Sequence, residues 1–315
     1  TRNRAHYLDQ LIKSVLNQKY QNCELIVVDN NSCDATPKMI KSYQKNFPDR
    51  IRGIRSSTNL GFARALLLAA QHARGDIFVF PGDDDLFMPE CFESGTKKFI
   101  KEPDLALVYS NIWVGPEPYR HLHFSKRYHG PVHRKMSLQE FLKIAAKGSV
   151  IPTQGALVRK EAYHEVGGIN LRWEYCQDHD LWFRIATRYP ITYIARPLAF
   201  FRRHPKNLTS ERYEDFANQE CQYWEEKREE IPTAQRAIQK HLERLRLHHA
   251  AFYLQEAHFD YPLFRKHLYE SLNYSRSLRK WLLRGCDFMA RILPPALIRR
   301  LVNLKRRWKV GLKRP

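Results

Sequence analysis

The chain has 315 residues, enough for one large domain or two smaller ones with a buried core. Its 43% hydrophobic and 27% charged residues are typical of a globular protein and exclude a disordered or fibrous one. The 53 Lys and Arg against 33 Asp and Glu give a formal net charge of +20, which favours a polyanionic partner: nucleic acid, an acidic membrane surface or a phosphate-bearing substrate. The six scattered cysteines form no CxxC pair, which argues against a zinc ribbon or a disulfide scaffold and fits a reducing compartment.

The first eighty residues alternate between helix and strand patterns. Apolar residues spaced three and four apart predict an amphipathic helix over 5–18. The apolar run Glu24–Val28 predicts a strand buried on both faces, and Thr36-Pro37 are typical of a helix start. The further predicted elements are a strand over 51–55, a helix over 61–73 and a strand over 76–80. This order predicts a parallel sheet covered by helices, and the first residues resemble the end of a strand, so we expect an opening strand before Thr1.

Acidic residues follow two of these strands. Asp29 ends one, and Gly82-Asp83-Asp84-Asp85 follows another. Ligands of such sheets bind outside the carboxyl ends of the strands, so we expect both points to face one crevice. Neighbouring carboxylates repel one another by about 1 kcal/mol at ~4 Å even in water, and a divalent cation removes this cost. Oxygen ligands suit Mg²⁺ or Mn²⁺, although a solvated acidic turn before the next helix is the simpler alternative.

Seven segments in order resemble the inverting family 2 glycosyltransferases of GT-A fold, over roughly residues 1–210. The segments are Asn3–Ala5, Ser14–Gln18, Glu24–Thr36, Asn59–Ala65, Gly75–Pro89 with its acidic cluster, Gly167–Trp182 and Arg202–His204. The resemblance implies an α/β fold with a mainly parallel sheet flanked by helices, followed by a helical C-terminal region. The chain departs from the family at three positions. Arg2 stands where the family usually has an aromatic residue, and Gly82 stands where it has the first carboxylate of the DxD motif. Gln177 replaces the acid that precedes the catalytic aspartate.

The resemblance also implies residues that bind the donor. Asp29 would accept an N–H of the nucleotide base, which suits a carboxylate. The other predicted nucleotide-binding residues are Asn3, Arg4, Asn59, Arg64 and Asp83. Asp84 is the expected ligand of Mn²⁺ or Mg²⁺, and Asp83, Asp85 and His204 are further candidates. Simpler alternatives exist for three of these residues. Asp29 would cap the approach to the next helix, Arg64 would be a surface charge on its helix, and His204 would have a structural role.

Asp178 is the predicted catalytic residue. Inversion at the anomeric carbon needs one base on the face opposite the leaving nucleotide, and a single carboxylate suffices. Asp180 and Trp182 would line the acceptor side or support the base, and Gln154 would lie on its floor. The alternative is that Asp178 and Asp180 are acids favoured by a helix dipole.

The C-terminal third differs in composition from the rest. Thirteen Lys and Arg and one acid, Asp287, fall within residues 276–315, interleaved with Trp, Leu and Ile. Such a segment is typical of an element that lies on an anionic membrane, and the alternatives are a solvated tail or one that binds nucleic acid nonspecifically. We expect a glycosyltransferase domain over 1–215, a helical region over 216–285 and a basic amphipathic tail over 286–315.

These observations predict an enzyme that transfers a sugar from a UDP- or GDP-sugar to a hydroxyl of a glycan or lipid-linked acceptor, in polysaccharide or cell-surface glycan synthesis. The predicted location is the cytoplasm, at the inner face of the membrane. A nucleotidyltransferase is one alternative, but it needs a Gly-rich basic loop after its first strand, and none is visible. Because the charge is concentrated in the tail, away from the acidic crevice, we expect no nucleic-acid partner.

Overall fold

The computed structural model describes residues 1–116, 123–124, 134, 136–137, 140–141, 151–253, 260, 262–264, 266–267 and 270. The chain divides into two compact units, Thr1–Gln219 and Glu220–Pro315. The division falls within helix α8 (Tyr213–Glu230), the same helix that contains the predicted boundary after residue 215. The predicted basic tail over 286–315 lies outside the described residues.

The helices and strands of the first unit follow the predicted alternation. The helices are α1 Ala5–Leu16, α2 Thr36–Asn46, α3 Phe62–His72, α4 Cys91–Lys101, α5 Lys160–Glu165, α6 Gln177–Arg188 and α7 Leu208–Glu211, with a 3-10 turn at Thr153–Gly155. The strands are β1 Leu25–Asp29, β2 Ile51–Arg55, β3 Ile77–Val79, β4 Leu86–Phe87, β5 Leu107–Gly115, β6 His123–Phe124, β7 Ala156–Arg159 and β8 Ile191–Arg202. The α/β class with helices flanking a sheet is thus confirmed.

The strand pairing is more mixed than the predicted mainly parallel sheet. β1 and β2 pair in parallel as a two-stranded sheet, and β3 belongs to a six-stranded sheet of order β3-β7-β5-β8-β4, in which β6 pairs with β5. Within the larger sheet β5 and β8 are parallel, and the other pairs are antiparallel. The βαβ rhythm covers only the early strands, so it could not reveal the later strands that enter antiparallel.

The core explains why these segments form their elements. α1 buries Leu8, Leu11, Ile12 and Val15, each at most 3% exposed, on the face that its spacing predicts. The first six residues of β5 are buried on both faces, as a strand covered by helices requires. Burying side chains of this size contributes roughly 1.5–3 kcal/mol each, which holds the strand ends in fixed positions.

The second unit is helical over the residues described. The C-terminal part of α8 and α9 (Gln235–Phe252) bury apolar side chains, including Trp224 and Leu242. The Trp224 and His241 rings meet edge to face at 4.7 Å. The predicted helical C-terminal region is therefore confirmed. In the described part of the chain, no helix is both long enough and apolar enough to cross a membrane.

Candidate active site

One large cavity of the first unit, about 2070 Å³, contains most of the predicted site residues. The predicted residues that line it are Asn3, Arg4, Asn59, Asp83, Asp84, Asp85, Gln154, Asp178 and His204. The structure thus brings residues from six segments of the chain to one place. Asp29, Arg64 and Asp180 are not among the lining residues.

The acidic cluster lies in the loop between β3 and β4 and is largely buried. Asp84 is 6% and Asp85 1% exposed. The Arg4 guanidinium donates from Nη1 to Asp83 Oδ1 at 3.0 Å and to Asp84 Oδ2 at 3.2 Å. The same guanidinium also donates to the Lys206 carbonyl. Arg4 therefore neutralises part of the carboxylate charge and ties it to the loop after β8.

The loop after β8 meets the cluster at Asp84. His204 Nε2 lies 2.9 Å from Asp84 Oδ2, and Asn207 Nδ2 donates to the same oxygen at 3.0 Å. The His204 ring stacks on Tyr7 of α1 at 4.7 Å. Arg202, which is 2% exposed, donates from Nε to the Asp84 carbonyl at 3.1 Å. These contacts fix the His204 ring beside the carboxylates.

The pKa of Asp85 is shifted by its surroundings. Burial raises the pKa of Asp85 well above its usual range, and the charge of Asp84 adds to the rise, whereas the Gly82 N–H and the Gln154 amide oppose it. A Cβ at Gly82 would lie 2.8 Å from Asp84 Oδ1 and 2.9 Å from Asp85 Oδ2. A side chain at position 82 would therefore require the Asp84 and Asp85 carboxylates to shift.

The donor set of Asp83, Asp84, Asp85 and His204 suits Mn²⁺ or Mg²⁺, because these ions prefer hard oxygen ligands and accept imidazole. In the described residues, however, no group of three or more His, Cys, Asp or Glu side chains is arranged to hold a metal ion. Asp84 is instead bonded to Arg4, His204 and Asn207. The chemistry of the residues fits a divalent cation, and their arrangement here is that of a hydrogen-bonded cluster.

At the end of β1, the adjacent residues Asp29 and Asn30 have different environments. Asp29 is 2% exposed, accepts the Ser32 N–H at 3.0 Å and pairs with Arg55 at 3.4 Å. The next residue, Asn30, lines the cavity. Its side chain accepts the Leu60 N–H at 2.7 Å and donates to the Gly61 carbonyl at 3.2 Å. Asp29 therefore stabilises the loop without lining the cavity. Asn30 lines the cavity and was not among the predicted site residues.

Of the other residues predicted to bind the nucleotide, Asn3 and Asn59 line the cavity and Arg64 does not. Asn3 accepts the Cys33 N–H at 2.8 Å with its side chain, in a left-handed conformation of φ 54° that asparagine tolerates. Asn59 accepts the Gly61 N–H at 3.2 Å at the start of α3. Both lie at the cavity wall. Arg64 is exposed on α3 outside the lining, as a surface helix charge would be.

Asp178 lies in the first turn of α6, with both carboxylate oxygens held. Thr153 Oγ1 donates to Oδ2 at 2.8 Å, and the His179 N–H donates to Oδ1 at 2.8 Å. The side chain lines the cavity and is half-buried. It can therefore meet a substrate hydroxyl, as a general base must.

Asp180, two residues after Asp178 on α6, has a different environment. It is 2% exposed, and Arg184 donates to its Oδ2 from Nε at 2.9 Å and from Nη2 at 2.6 Å. Arg184 also donates to the carbonyls of Val166 and Gly168. Asp180 thus orients Arg184, which holds α6 to the turn that follows α5, and Asp180 is not among the residues that line the cavity.

The structure adds cavity residues that were not among the predicted site residues. Thr153, Asn207 and Asn30 each bond a predicted site residue or its loop. Asn207 had a weak sequence signal, because asparagine is common at the N-cap position that it occupies before the short helix α7, although its side chain makes no capping hydrogen bond here. Thr153 had none, since its partner lies 25 residues away in the chain.

Comparisons with known proteins agree with this architecture. The Staphylococcus aureus protein TarS, residues 1–349, solved in complex with UDP-GlcNAc, superposes with a TM-score of 0.63 at 18% identity, covering 87% of this chain and 79% of that one. The mannosyltransferase PcManGT from Pyrobaculum calidifontis, in complex with GDP-Man and Mn²⁺, has a TM-score of 0.57 at 17% identity and covers 97% and 82%. The fold is thus that of GT-A glycosyltransferases.

The family follows from the sequence. The model of glycosyl transferase family 2 matches residues 1–167, and the chain belongs to this family. A curated relative, the putative glycosyltransferase EpsE of Bacillus subtilis, is 31% identical over 179 residues, which are 56% of this chain and 61% of EpsE. The chondroitin synthase of Pasteurella multocida is 28% identical over 185 residues, 58% of this chain and 18% of that protein. The chain spans about three fifths of EpsE and a smaller part of the synthase.

Proposed function

We propose that the protein transfers a sugar from a UDP- or GDP-sugar to an acceptor hydroxyl, with inversion at the anomeric carbon. The observation that carries this proposal is the single cavity that holds both the acidic cluster and Asp178. Donor complexes of structural neighbours, UDP-GlcNAc in TarS and GDP-Man in PcManGT, support the donor class.

Asp178 is the proposed base. One lone pair on each of its oxygens remains after the bonds from Thr153 and His179, so the carboxylate can accept the proton of an incoming hydroxyl. Loss of that proton increases the nucleophilicity of the oxygen as it attacks the sugar. Because no covalent intermediate is needed, one displacement inverts the anomeric configuration.

The acidic cluster is the proposed diphosphate end of the site. Asp83, Asp84, Asp85 and His204 would hold Mn²⁺ or Mg²⁺, and such an ion neutralises charge on a leaving diphosphate when bound. Arg4 already contacts Asp83 and Asp84, so its cation is also placed to attract phosphate oxygens. The Mn²⁺ of the PcManGT complex supports the choice of metal.

The nucleoside would lie along the loop after β1, where Asn3, Asn30 and Asn59 meet the cavity. We propose that amide groups of these residues contact the base or ribose and that Asp29 and Arg64 act indirectly. The acceptor would be a glycan or a lipid-linked sugar in polysaccharide or cell-surface glycan synthesis, which the relative chondroitin synthase supports. The basic segment after residue 281 would bring the enzyme to the inner face of an anionic membrane.

The decisive experiment is replacement of the base. Asp178→Asn keeps the shape of the side chain and removes its proton acceptor, so donor hydrolysis or transfer should fall by roughly 10²–10⁴-fold with donor affinity unchanged. UDP-GlcNAc and GDP-mannose serve as donors, calorimetry measures affinity, and NMR of the first product reads the anomer. Asp104→Asn, an exposed carboxylate outside the cavity, is the matched control. Turnover that survives in Asp178→Asn, or a retained anomer, refutes the proposal.

A second experiment tests the acidic cluster. Asp84→Ala should abolish Mn²⁺-dependent binding of UDP or GDP while thermal unfolding remains cooperative. Nucleotide affinity that is unchanged with Mn²⁺ would show that the cluster is only a hydrogen-bonded turn.

A further inference from the structure

The 3-10 turn Thr153–Gly155 lies at the wall of the proposed site. Thr153 and Gln154 both line the cavity, and the Thr153 hydroxyl donates to Asp178 Oδ2 at 2.8 Å. We propose that Thr153 is a positioning residue that holds the Asp178 carboxylate in its reactive orientation. This inference rests on the proposed role of Asp178.

The hydroxyl of Thr153 controls how Asp178 meets a substrate. A half-buried aspartate on a helix can rotate about χ1 and χ2, and one backbone bond to Oδ1 leaves the other oxygen free to swing. The Thr153 hydroxyl holds that second oxygen at 2.8 Å. With both oxygens held, the remaining lone pairs have fixed directions, and proton transfer requires such alignment.

The turn itself is a rigid anchor. A Cβ at Gly155 would lie 2.7 Å from Ser110 Oγ and 3.1 Å from the Ser110 carbonyl, so the backbone packs directly on β5. The Gly155 N–H donates to the Pro152 carbonyl at 3.0 Å. Immediately after the turn, Ala156 pairs with Tyr109 in the sheet. Movement of Thr153 would therefore require movement of the central sheet.

Two variants separate the hydroxyl from the rest of the Thr153 side chain. Thr153→Val keeps the branched shape and removes the donor, whereas Thr153→Ser keeps the donor and removes the methyl group. We expect kcat of Thr153→Val to fall about tenfold with the donor KM unchanged, because a hydrogen bond to a charged group is lost. Thr153→Ser should retain the wild-type kcat.

The outcomes are distinguishable from failure of the proposed function. Asp178→Asn, assayed with the same donors, tests the base itself. An inactive Asp178→Asn with a wild-type kcat in Thr153→Val overturns the positioning role and leaves the base in place. If Thr153→Ser loses activity while Thr153→Val keeps it, the methyl group matters through packing, and the inference is wrong. Binding of UDP or GDP with Mn²⁺ verifies that each variant keeps a folded donor site.

Discussion

The two aspartates in the first turn of α6 should separate stability from turnover. Asp180→Ala removes the carboxylate that pairs with Arg184 inside the protein, where the two side chains are 3% and 22% exposed. Asp178→Asn removes only the proton acceptor at the cavity. We therefore expect the Asp180 variant to unfold more easily and the Asp178 variant to unfold like the wild type.

The magnitude follows from the contacts of Arg184. Breaking a buried ion pair by removing one partner costs about 3–5 kcal/mol. Arg184 keeps its bonds to the Val166 and Gly168 carbonyls and is partly exposed, so we expect the lower end, about 3 kcal/mol. For a unit of this size, each kcal/mol lowers Tm by roughly 2–4 °C, which gives a decrease of about 6–12 °C.

Differential scanning calorimetry of the full chain measures this decrease, and a donor hydrolysis assay below the lowered Tm measures turnover. Asp180→Asn retains a hydrogen-bond acceptor and should lose less stability than Asp180→Ala. An unchanged Tm in Asp180→Ala together with lost turnover would refute the reasoning, because it would place the reactive carboxylate at position 180.

Three further predictions concern other parts of the chain. Gly61→Ala should lower the free energy of unfolding by about 1–3 kcal/mol, because φ +83° with ψ 175° is a conformation that only glycine adopts readily, whereas Gly75→Ala should change it little in chemical denaturation. Burial and the bond to Asp9 raise the pKa of Tyr43 to about 12, so the stability that Tyr43→Phe removes should be present below pH 10 and absent above pH 12, as unfolding at several pH values will show. Deletion of residues 281–315 should release the protein from anionic vesicles without lowering activity on a soluble acceptor, and failure of the intact chain to sediment at low salt would contradict this.

The elements of the first unit could be predicted because their signals are local. The spacing of Leu8, Leu11 and Val15 determines which face of α1 is buried, and the apolar run before Asp29 determines a strand. The acidic cluster is contiguous, so its position at a strand end was also visible. The antiparallel strands were not predicted, because pairing between distant segments depends on packing rather than on a local pattern.

At two pairs of residues, Asp178 with Asp180 and Asp29 with Asn30, the tertiary structure was needed to decide which member reaches the cavity. Residues two apart on a helix point about 200° apart, so the sequence by itself determined that Asp178 and Asp180 face different sides of α6. Likewise, neighbours at a strand end point to opposite faces, which separates Asp29 from Asn30.

Which member of each pair reaches the cavity was decided by the packing of distant segments. Arg184 and the turn after α5 bury Asp180, Arg55 of the next strand covers Asp29, and Thr153 approaches Asp178 from 25 residues away. Local periodicity sets the direction of a side chain relative to its own element. Only the assembled sheet and helices decide whether that direction is the core, the solvent or the substrate.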